Sequence, residues 1–140
     1  MKQRQYQDAA AIYRALVASD PADRTSMLAL ATALAQSSQE DEALDLYQQV
    51  IAQWPEYPWA YLRRADLLAK DGKTDAALQD YRTAAQVAPD NPDIHFAVAN
   101  AYLRAGQREA AIAELEAGLK LDPNRQTAQK TLQELQAGQP

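Results

Sequence analysis

The sequence contains no cysteine, which excludes disulfide bonds, thiol nucleophiles and cysteine-based zinc sites. His95 is the single histidine, so metal binding or acid–base catalysis at this residue would have no second histidine and no cysteine as a partner. No apolar run approaches the ~18 residues that cross a bilayer, and the first residues lack the hydrophobic core of a signal peptide. We therefore expect no membrane-spanning segment and no direct membrane contact, while the compartment is left open.

Positive charge is also scarce, because 14 basic residues stand against 19 acidic ones and give a formal net charge of −5. Broad nucleic-acid affinity depends on a basic surface that neutralises phosphates, so a nucleic-acid partner is not expected. The sequence has no glycine-rich phosphate loop, nucleophile elbow, His-Glu-x-x-His zinc helix or calcium loop. We predict a non-catalytic protein with no cofactor and no metal.

Bulky aromatic residues are few, with one phenylalanine among 140 residues, while alanine is abundant and 47% of the residues are hydrophobic. Alanine has the highest helix propensity and lets helices approach closely. The four glycines and seven prolines stand mostly at spaced boundaries between apolar segments. This composition predicts an all-α fold of closely packed helices.

Several residue types recur at a fixed step of 34 residues. Four prolines keep this step, at Pro21, Pro55, Pro89 and Pro123. Further columns with the same step are Ala9, Ala43, Ala77 and Ala111; Tyr13, Tyr47, Tyr81 and Leu115; Leu16, Val50, Ala84 and Gly118; and Ala31, Ala65 and Ala99. A period of this length indicates a stack of identical helical units.

The pattern resembles the tetratricopeptide repeat (TPR) family, whose period is 34. The resemblance covers residues 1–125. It implies a right-handed superhelical solenoid of antiparallel helix pairs, with about 3.5 repeats and a C-terminal capping helix. We expect a single array over residues 1–140, divided into a half repeat with only its second helix (1–23), three full repeats (24–57, 58–91 and 92–125) and the capping helix (126–137).

The half repeat at the start leaves one helix without its partner. Its apolar residues Ala9, Ile12, Tyr13 and Leu16 lie at helical spacing, and apolar surface left in water costs about 25 cal/mol per Å². We regard Ile12, Tyr13 and Leu16 as candidates for self-association and a homo-oligomer. A truncated first repeat with no such role is the alternative.

In the family that the sequence resembles, the first helix of each repeat lines a concave groove. Carried over column by column, this gives a set of partner-binding residues on the face that does not pack against the second helix. The set is Leu28, Thr32, Trp59, Leu62, Arg63, Asp66, Lys70, Phe96, Asn100 and Arg104. Packing between repeats is the alternative role for Trp59 and Phe96.

The predicted groove is near neutral to slightly basic, whereas the second helices carry most of the acidic residues. A protein or peptide partner with apolar anchors and some acidic character is therefore expected. The Lys, Asn and Arg set with which some family members hold a chaperone's C-terminal carboxylate is not reproduced. We predict an interaction scaffold in the assembly or biogenesis of a complex. A self-association module, or an appendage of a larger enzyme or membrane protein, is the alternative.

Two residues depart from the repeat pattern. Arg64 stands where the flanking repeats have Leu30 and Val98, and its side chain is expected either to reach solvent along its methylenes or to pair with a carboxylate. His95 stands where this family often has a tryptophan, and a packing or edge role is expected for it.

Overall fold

The computed structural model describes residues 2–138, and within this range the chain forms eight α-helices and no strand. The helices are α1 (Lys2–Ser19), α2 (Arg24–Gln36), α3 (Glu40–Gln53), α4 (Pro58–Lys70), α5 (Thr74–Val87), α6 (Pro92–Arg104), α7 (Arg108–Leu121) and α8 (Gln126–Ala137). The prediction of an all-α repeat array is therefore confirmed. The repeat boundaries and the handedness of the array stay predictions.

Short polar turns separate the helices, and side chains stabilise two of the helix starts. The Asp23 side chain accepts hydrogen bonds from the first amides of α2, and the Asn91 side chain does the same for α6. Pro58 and Pro92 occupy the first turn of α4 and α6, where a helix needs no N–H donor. The first helices thus begin at defined residues, which fixes the angular position of the groove side chains.

The turn inside each helix pair needs a residue with positive φ. Gly72 (φ 76°) and Gly106 (φ 72°) supply it after α4 and α6, as expected for glycine after a helix. Ser38 takes the corresponding place after α2 with a φ of 64°. The sequence did not reveal this role for Ser38, because a serine gives no turn signal of glycine's kind.

Each helix packs against its neighbours along the chain, and the first helices also contact one another, α2 with α4 and α4 with α6. Within residues 2–138, α3, α5 and α7 make no comparably extensive contacts among themselves. Closer spacing on the side of α2, α4 and α6 makes that side the inner, concave side of the array. α1 begins at Lys2 and packs on α2.

The core consists of the alanine columns and the apolar residues beside them. Ala31, Ala65 and Ala99 are completely buried, which is what allows the paired helices to approach closely. Tyr47 and Leu34 are the largest side chains with almost no exposure. The small side chains set the helix spacing, and the large ones fill the layers between repeats.

Ala65→Leu is expected to lower the free energy of unfolding by about 1–3 kcal/mol, because a larger side chain in a fully buried column forces α4 and α5 apart. Ala77 belongs to the same core cluster but lines a cavity of about 310 Å³. Ala77→Leu is therefore expected to cost less than Ala65→Leu. Urea unfolding of the two variants measures the difference, and equal stability of Ala65→Leu and wild type would contradict this helix packing.

Candidate partner-binding groove

A continuous groove runs along the concave side, over the first helices α2, α4 and α6. Three depressions form it, and each shares a residue with the next. Arg63 lines both the N-terminal and the central depression, and Asn100 lines both the central and the C-terminal one. We call these the N-terminal, central and C-terminal subsites.

The N-terminal subsite has a volume of about 390 Å³ and a mostly apolar lining. Its residues come from α1, α2 and α4: Tyr6, Ala9, Tyr13, Thr25, Leu28, Ala29, Thr32, Ala33, Gln36 and Arg63. Tyr6, Ala9 and Tyr13 follow each other at intervals of three and four residues, so they share one face of α1. An apolar side chain of a partner would contact residues of three helices here.

The central subsite is smaller, about 200 Å³, and is more polar. It lies between α4 and α6 and is lined by Trp59, Leu62, Arg63, Asp66, Ala97, Asn100 and Arg104. Asp66 holds the two arginines, with 3.0 Å between Arg104 Nη2 and its Oδ1 and 3.6 Å between Arg63 Nη1 and its Oδ2. The subsite thus presents two guanidinium groups around one carboxylate.

A tyrosine of the adjoining second helix fixes the position of Asp66. The Tyr81 hydroxyl donates a hydrogen bond of 2.8 Å to Asp66 Oδ1. Burial and this hydrogen bond to Asp66 raise the pKa of Tyr81 to about 12, so the phenol stays protonated and keeps donating. The corresponding Tyr47 hydroxyl donates to Thr32 Oγ1 at 3.2 Å, which holds the groove face of α2 in the same way.

The C-terminal subsite, about 160 Å³, lies between α6 and the last helices. The Arg125 guanidinium stacks 4.9 Å from the centre of the Phe96 ring and pairs with Asp93 at 2.7 Å and Asp122 at 3.0 Å. These bonds leave Arg125 and Phe96 less available to a partner than the arginines of the central subsite.

The structure brings nine of the ten predicted groove residues into these three subsites. The tenth, Lys70, lines none of them and forms an ion pair of 2.7 Å with Glu40 at the start of α3. Nothing yet tests whether the nine residues bind a partner, and that role stays a prediction.

Two of these residues are less accessible than the sequence suggested. Leu62 is 4% exposed and Phe96 is 8% exposed, so each offers little surface to a partner. Phe96 instead packs with Leu115 and Ala128 in the cluster that attaches α8. Its ring enters this cluster because Gly118 has no side chain: a Cβ at Gly118 would stand 2.5 Å from the ring.

The apolar residues of α1 divide into two faces. On one face, Ile12 is 62% exposed and Leu16 is 47% exposed. Tyr13 and Ala9 lie on the other face, because both are partly buried against the α2 core and line the N-terminal subsite. A part for Tyr13 in self-association stays a prediction. The contribution of α1 to the groove was missed. The repeat column of Tyr13 could have indicated it. The hydroxyls of Tyr47 and Tyr81, in the same column, reach the groove faces of α2 and α4.

The structure resolves the two alternatives for Arg64 in favour of pairing. Its Nε and Nη2 donate to the two oxygens of Asp80 at 2.7 and 2.8 Å, and Nη1 donates to Gln48. The Asp80 side chain is only 8% exposed. The hydrogen bonds to Asp80 raise the pKa of Arg64, and this bidentate pair replaces the apolar contact of the flanking repeats.

His95 is buried at the second-helix side of α6, and both ring nitrogens face acceptors. Nδ1 lies 2.6 Å from Glu114 Oε2 and Nε2 lies 2.8 Å from the Pro89 carbonyl oxygen. Since a carbonyl and a carboxylate only accept, this site favours the imidazolium form, in which both nitrogens donate. Burial alone would lower the pKa of His95, but the hydrogen bonds to Glu114 and Pro89 outweigh it and raise the pKa above its usual value.

This arrangement predicts a pH-dependent stability. Because the pKa of His95 is raised in the folded state, protonation of His95 stabilises the fold. This contribution is complete below the unfolded-state pKa of about 6.5, and it is lost as the pH rises through the folded-state pKa. Wild type is expected to lose stability as the pH rises from about 6.5 through the folded-state pKa of His95, with a slope of at most about 1.4 kcal/mol per pH unit for one proton. His95→Gln is expected to lack this slope in urea unfolding, and an unchanged slope in the variant would contradict the assignment.

Two further properties concern residues 2–138 as a whole. None of their helices is long and apolar enough to cross a membrane. In the same part of the chain, no group of three or more His, Cys, Asp and Glu residues is arranged to hold a metal ion.

Comparison with known proteins places the chain among helical repeat proteins. Two models of the tetratricopeptide repeat family match it, one over residues 1–58 and the other over residues 68–135. No curated protein sequence matches the chain.

Similar solved structures include TTC0263, a thermophilic TPR protein of Thermus thermophilus, with 22% identity and a TM-score of 0.78 over 95% of this chain and 74% of that one. MamA has 16% identity and a TM-score of 0.71 over 95% of this chain and 78% of its own. YrrB, described as a TPR protein with an unusual peptide-binding site, has 20% identity and a TM-score of 0.66 over 91% of this chain and 66% of its own. At these identities the likeness concerns the fold.

Proposed function

Because the chain belongs to the tetratricopeptide repeat family, whose members are in general non-catalytic interaction modules, we propose that it is a scaffold that holds a segment of a partner protein in its concave groove. The scaffold has no catalytic activity of its own and acts in the assembly or biogenesis of a complex. One observation carries this proposal: the three subsites form one groove, joined at Arg63 and Asn100.

The chemistry of the groove supports a peptide or a helix as the ligand. The open N-terminal subsite accepts an apolar side chain, and the central subsite offers polar donors beside the indole of Trp59. Aromatic and arginine residues that surround a small pocket are the usual centres of binding energy. A groove of this length suits several consecutive residues of a partner rather than a single small molecule.

Filling the groove tests this proposal. Ala29 and Ala97 are partly buried residues of the N-terminal and central subsites, so Ala29→Trp together with Ala97→Trp should occupy both without removing core contacts. Capture from the native extract is expected to recover a partner with wild type and to lose it with the filled variant. Arg82→Glu, at an exposed residue of α5 that lines neither subsite, is the matched control.

Equal recovery of every partner by wild type and the filled variant would contradict the groove as the binding surface. Unchanged urea unfolding of the filled variant is needed for the comparison.

The exposed residues of α1 favour a second candidate function, self-association. Ile12 and Leu16 stand in the columns of Leu46 and Val50, which pack inside the next repeat. A second copy of the chain that supplies the same stripe would bury both exposed side chains in a symmetric contact.

This candidate predicts a dimer that depends on Ile12 and Leu16. In sedimentation velocity at high protein concentration, wild type is expected to shift toward dimer, because association removes apolar area from water at about 25 cal/mol per Å². Ile12→Glu with Leu16→Glu should stay monomeric, whereas Leu121→Glu, at an exposed leucine at the far end of α7, should behave like wild type. A wild type that stays monomeric at every concentration would exclude this candidate.

A further inference from the structure

We propose that the central subsite binds a side-chain carboxylate of the partner, about two to four residues along the partner from the apolar side chain held in the N-terminal subsite. This inference rests on the proposed groove function and adds the chemistry and the spacing of the ligand. Its basis is the pair of guanidinium groups of Arg63 and Arg104 around one small cavity.

Both arginines have donors available. A guanidinium carries five N–H donors. Within residues 2–138, Asp66 is the one carboxylate within ion-pair distance of either side chain. The Arg63 and Arg104 side chains are 47% and 64% exposed, so a partner can reach both guanidinium groups. A carboxylate entering the subsite can accept from both arginines without displacing Asp66.

The charge of the subsite selects a monoanion. Arg63 and Arg104 contribute two positive charges and Asp66 contributes one negative charge, which leaves a net charge of +1. The hydrogen bond from Tyr81 holds Asp66 in place between the arginines. One carboxylate would bring the net charge of the subsite to zero. A phosphate dianion would make the net charge negative and would be repelled by Asp66.

The apolar wall of the subsite strengthens the attraction. Trp59, Leu62 and Ala97 line the same cavity as the arginines, and Leu62 is almost fully buried. A partner segment that covers these apolar side chains would exclude water from the cavity, so a charge-assisted hydrogen bond would contribute more in the complex than on an open surface.

Helix spacing gives the distance between the two anchors. The N-terminal subsite has residues of α2 and α4 and the central subsite has residues of α4 and α6, so their centres lie about one helix spacing apart. Neighbouring packed helices are about 8–10 Å apart. An extended peptide advances about 3.3 Å per residue. The apolar and acidic side chains of the ligand are therefore separated by about two to four residues.

Synthetic peptides test the inference. The probes are acetylated and amidated octapeptides of alanine and serine, with one phenylalanine and one glutamate separated by one to six residues, and the same peptides with glutamine in place of glutamate. With the predicted separation, the glutamate peptide is expected to bind about tenfold tighter than its glutamine match, and high salt should reduce this advantage. Arg63→Gln and Arg104→Gln should each abolish it, while Arg82→Gln, at an exposed arginine of α5, should keep it.

Binding is located by NMR shifts of the groove amides and the arginine side chains. Glutamate and glutamine peptides that bind the groove equally would overturn the carboxylate subsite and leave the scaffold function standing. A phosphoserine peptide that binds tighter than the glutamate peptide would overturn the monoanion preference. If no peptide shifts any groove resonance, this inference is wrong, and the capture experiment with the filled variant decides the proposed function separately.

Discussion

Asp80→Leu is expected to lower the free energy of unfolding by about 2–4 kcal/mol, because it leaves the Arg64 guanidinium partly buried without its carboxylate. Asp80 accepts two of the Arg64 hydrogen bonds, at 2.7 and 2.8 Å. The Arg64 side chain is 20% exposed, so water replaces those bonds incompletely. The hydrogen bond to Gln48 does not compensate the charge.

The double variant Arg64→Leu with Asp80→Leu is expected to recover stability to within about 1 kcal/mol of wild type, or to exceed it. The preceding repeat supplies the precedent, because Leu30 and Leu46 occupy the same two columns and belong to one apolar cluster. A separate depression of about 490 Å³, outside the concave groove, adjoins the pair and provides room for the new side chains.

Urea unfolding of the single and double variants measures this rescue. Glu42→Leu is the control, because Glu42 pairs with Arg14 on the surface, where both side chains are about half exposed. Its loss should be below about 1 kcal/mol. If the double variant is no more stable than Asp80→Leu alone, two apolar residues cannot replace the ion pair at this position, and the prediction is wrong.

Gly118→Ala is expected to destabilise the fold by about 1–3 kcal/mol, although alanine has a higher helix propensity than glycine by about 1 kcal/mol. The added Cβ would stand 2.5 Å from Cε1 and 2.9 Å from Cδ1 of Phe96, so the ring would have to move. The ring is held by Leu115 and Ala128 and by Arg125 stacked on its face, so any movement loosens the attachment of α8.

The central repeat predicts the compensating change. Leu62 and Ala84 occupy the columns of Phe96 and Gly118, and both are buried in one core cluster. The double variant Phe96→Leu with Gly118→Ala is therefore expected to lose less free energy of unfolding than the two single variants lose together, by at least about 1 kcal/mol. Thermal and urea unfolding of the full double-mutant cycle checks it. A stable Gly118→Ala protein, or additive losses, would contradict the contact between ring and helix.

These two contacts show what the sequence could predict and what it could not. The period of 34 predicted the helices and the buried alanine columns, because each helix pair must bury the same face against its neighbour. Ala31, Ala65 and Ala99 follow from that requirement alone, and all three are fully buried. The position of a residue in the repeat also predicted the helix face on which its side chain lies. For this reason most of the predicted groove residues line the same groove.

How deeply a side chain is buried depends on the residues that face it. The position of a residue in the 34-residue repeat does not predict those residues. Phe96 stands in a groove column, yet the missing side chain of Gly118 lets its ring enter the core. Arg64 left two alternatives open because its partner Asp80 lies in another helix. The share of α1 in the groove was missed, since a half repeat has no first helix from which to carry residues over.

Site-specific photocrosslinking to a captured partner tests the central claim, binding in the concave groove, most directly. A benzophenone side chain is introduced at Thr25 in the N-terminal subsite, at Asn100 where the central and C-terminal subsites meet, and at Gln79 on the second-helix side. All three residues are exposed, so none of the replacements removes a core contact. Crosslinks from Thr25 and Asn100, with none from Gln79, are the predicted result. A partner that crosslinks to Gln79 and to neither groove position would contradict the account.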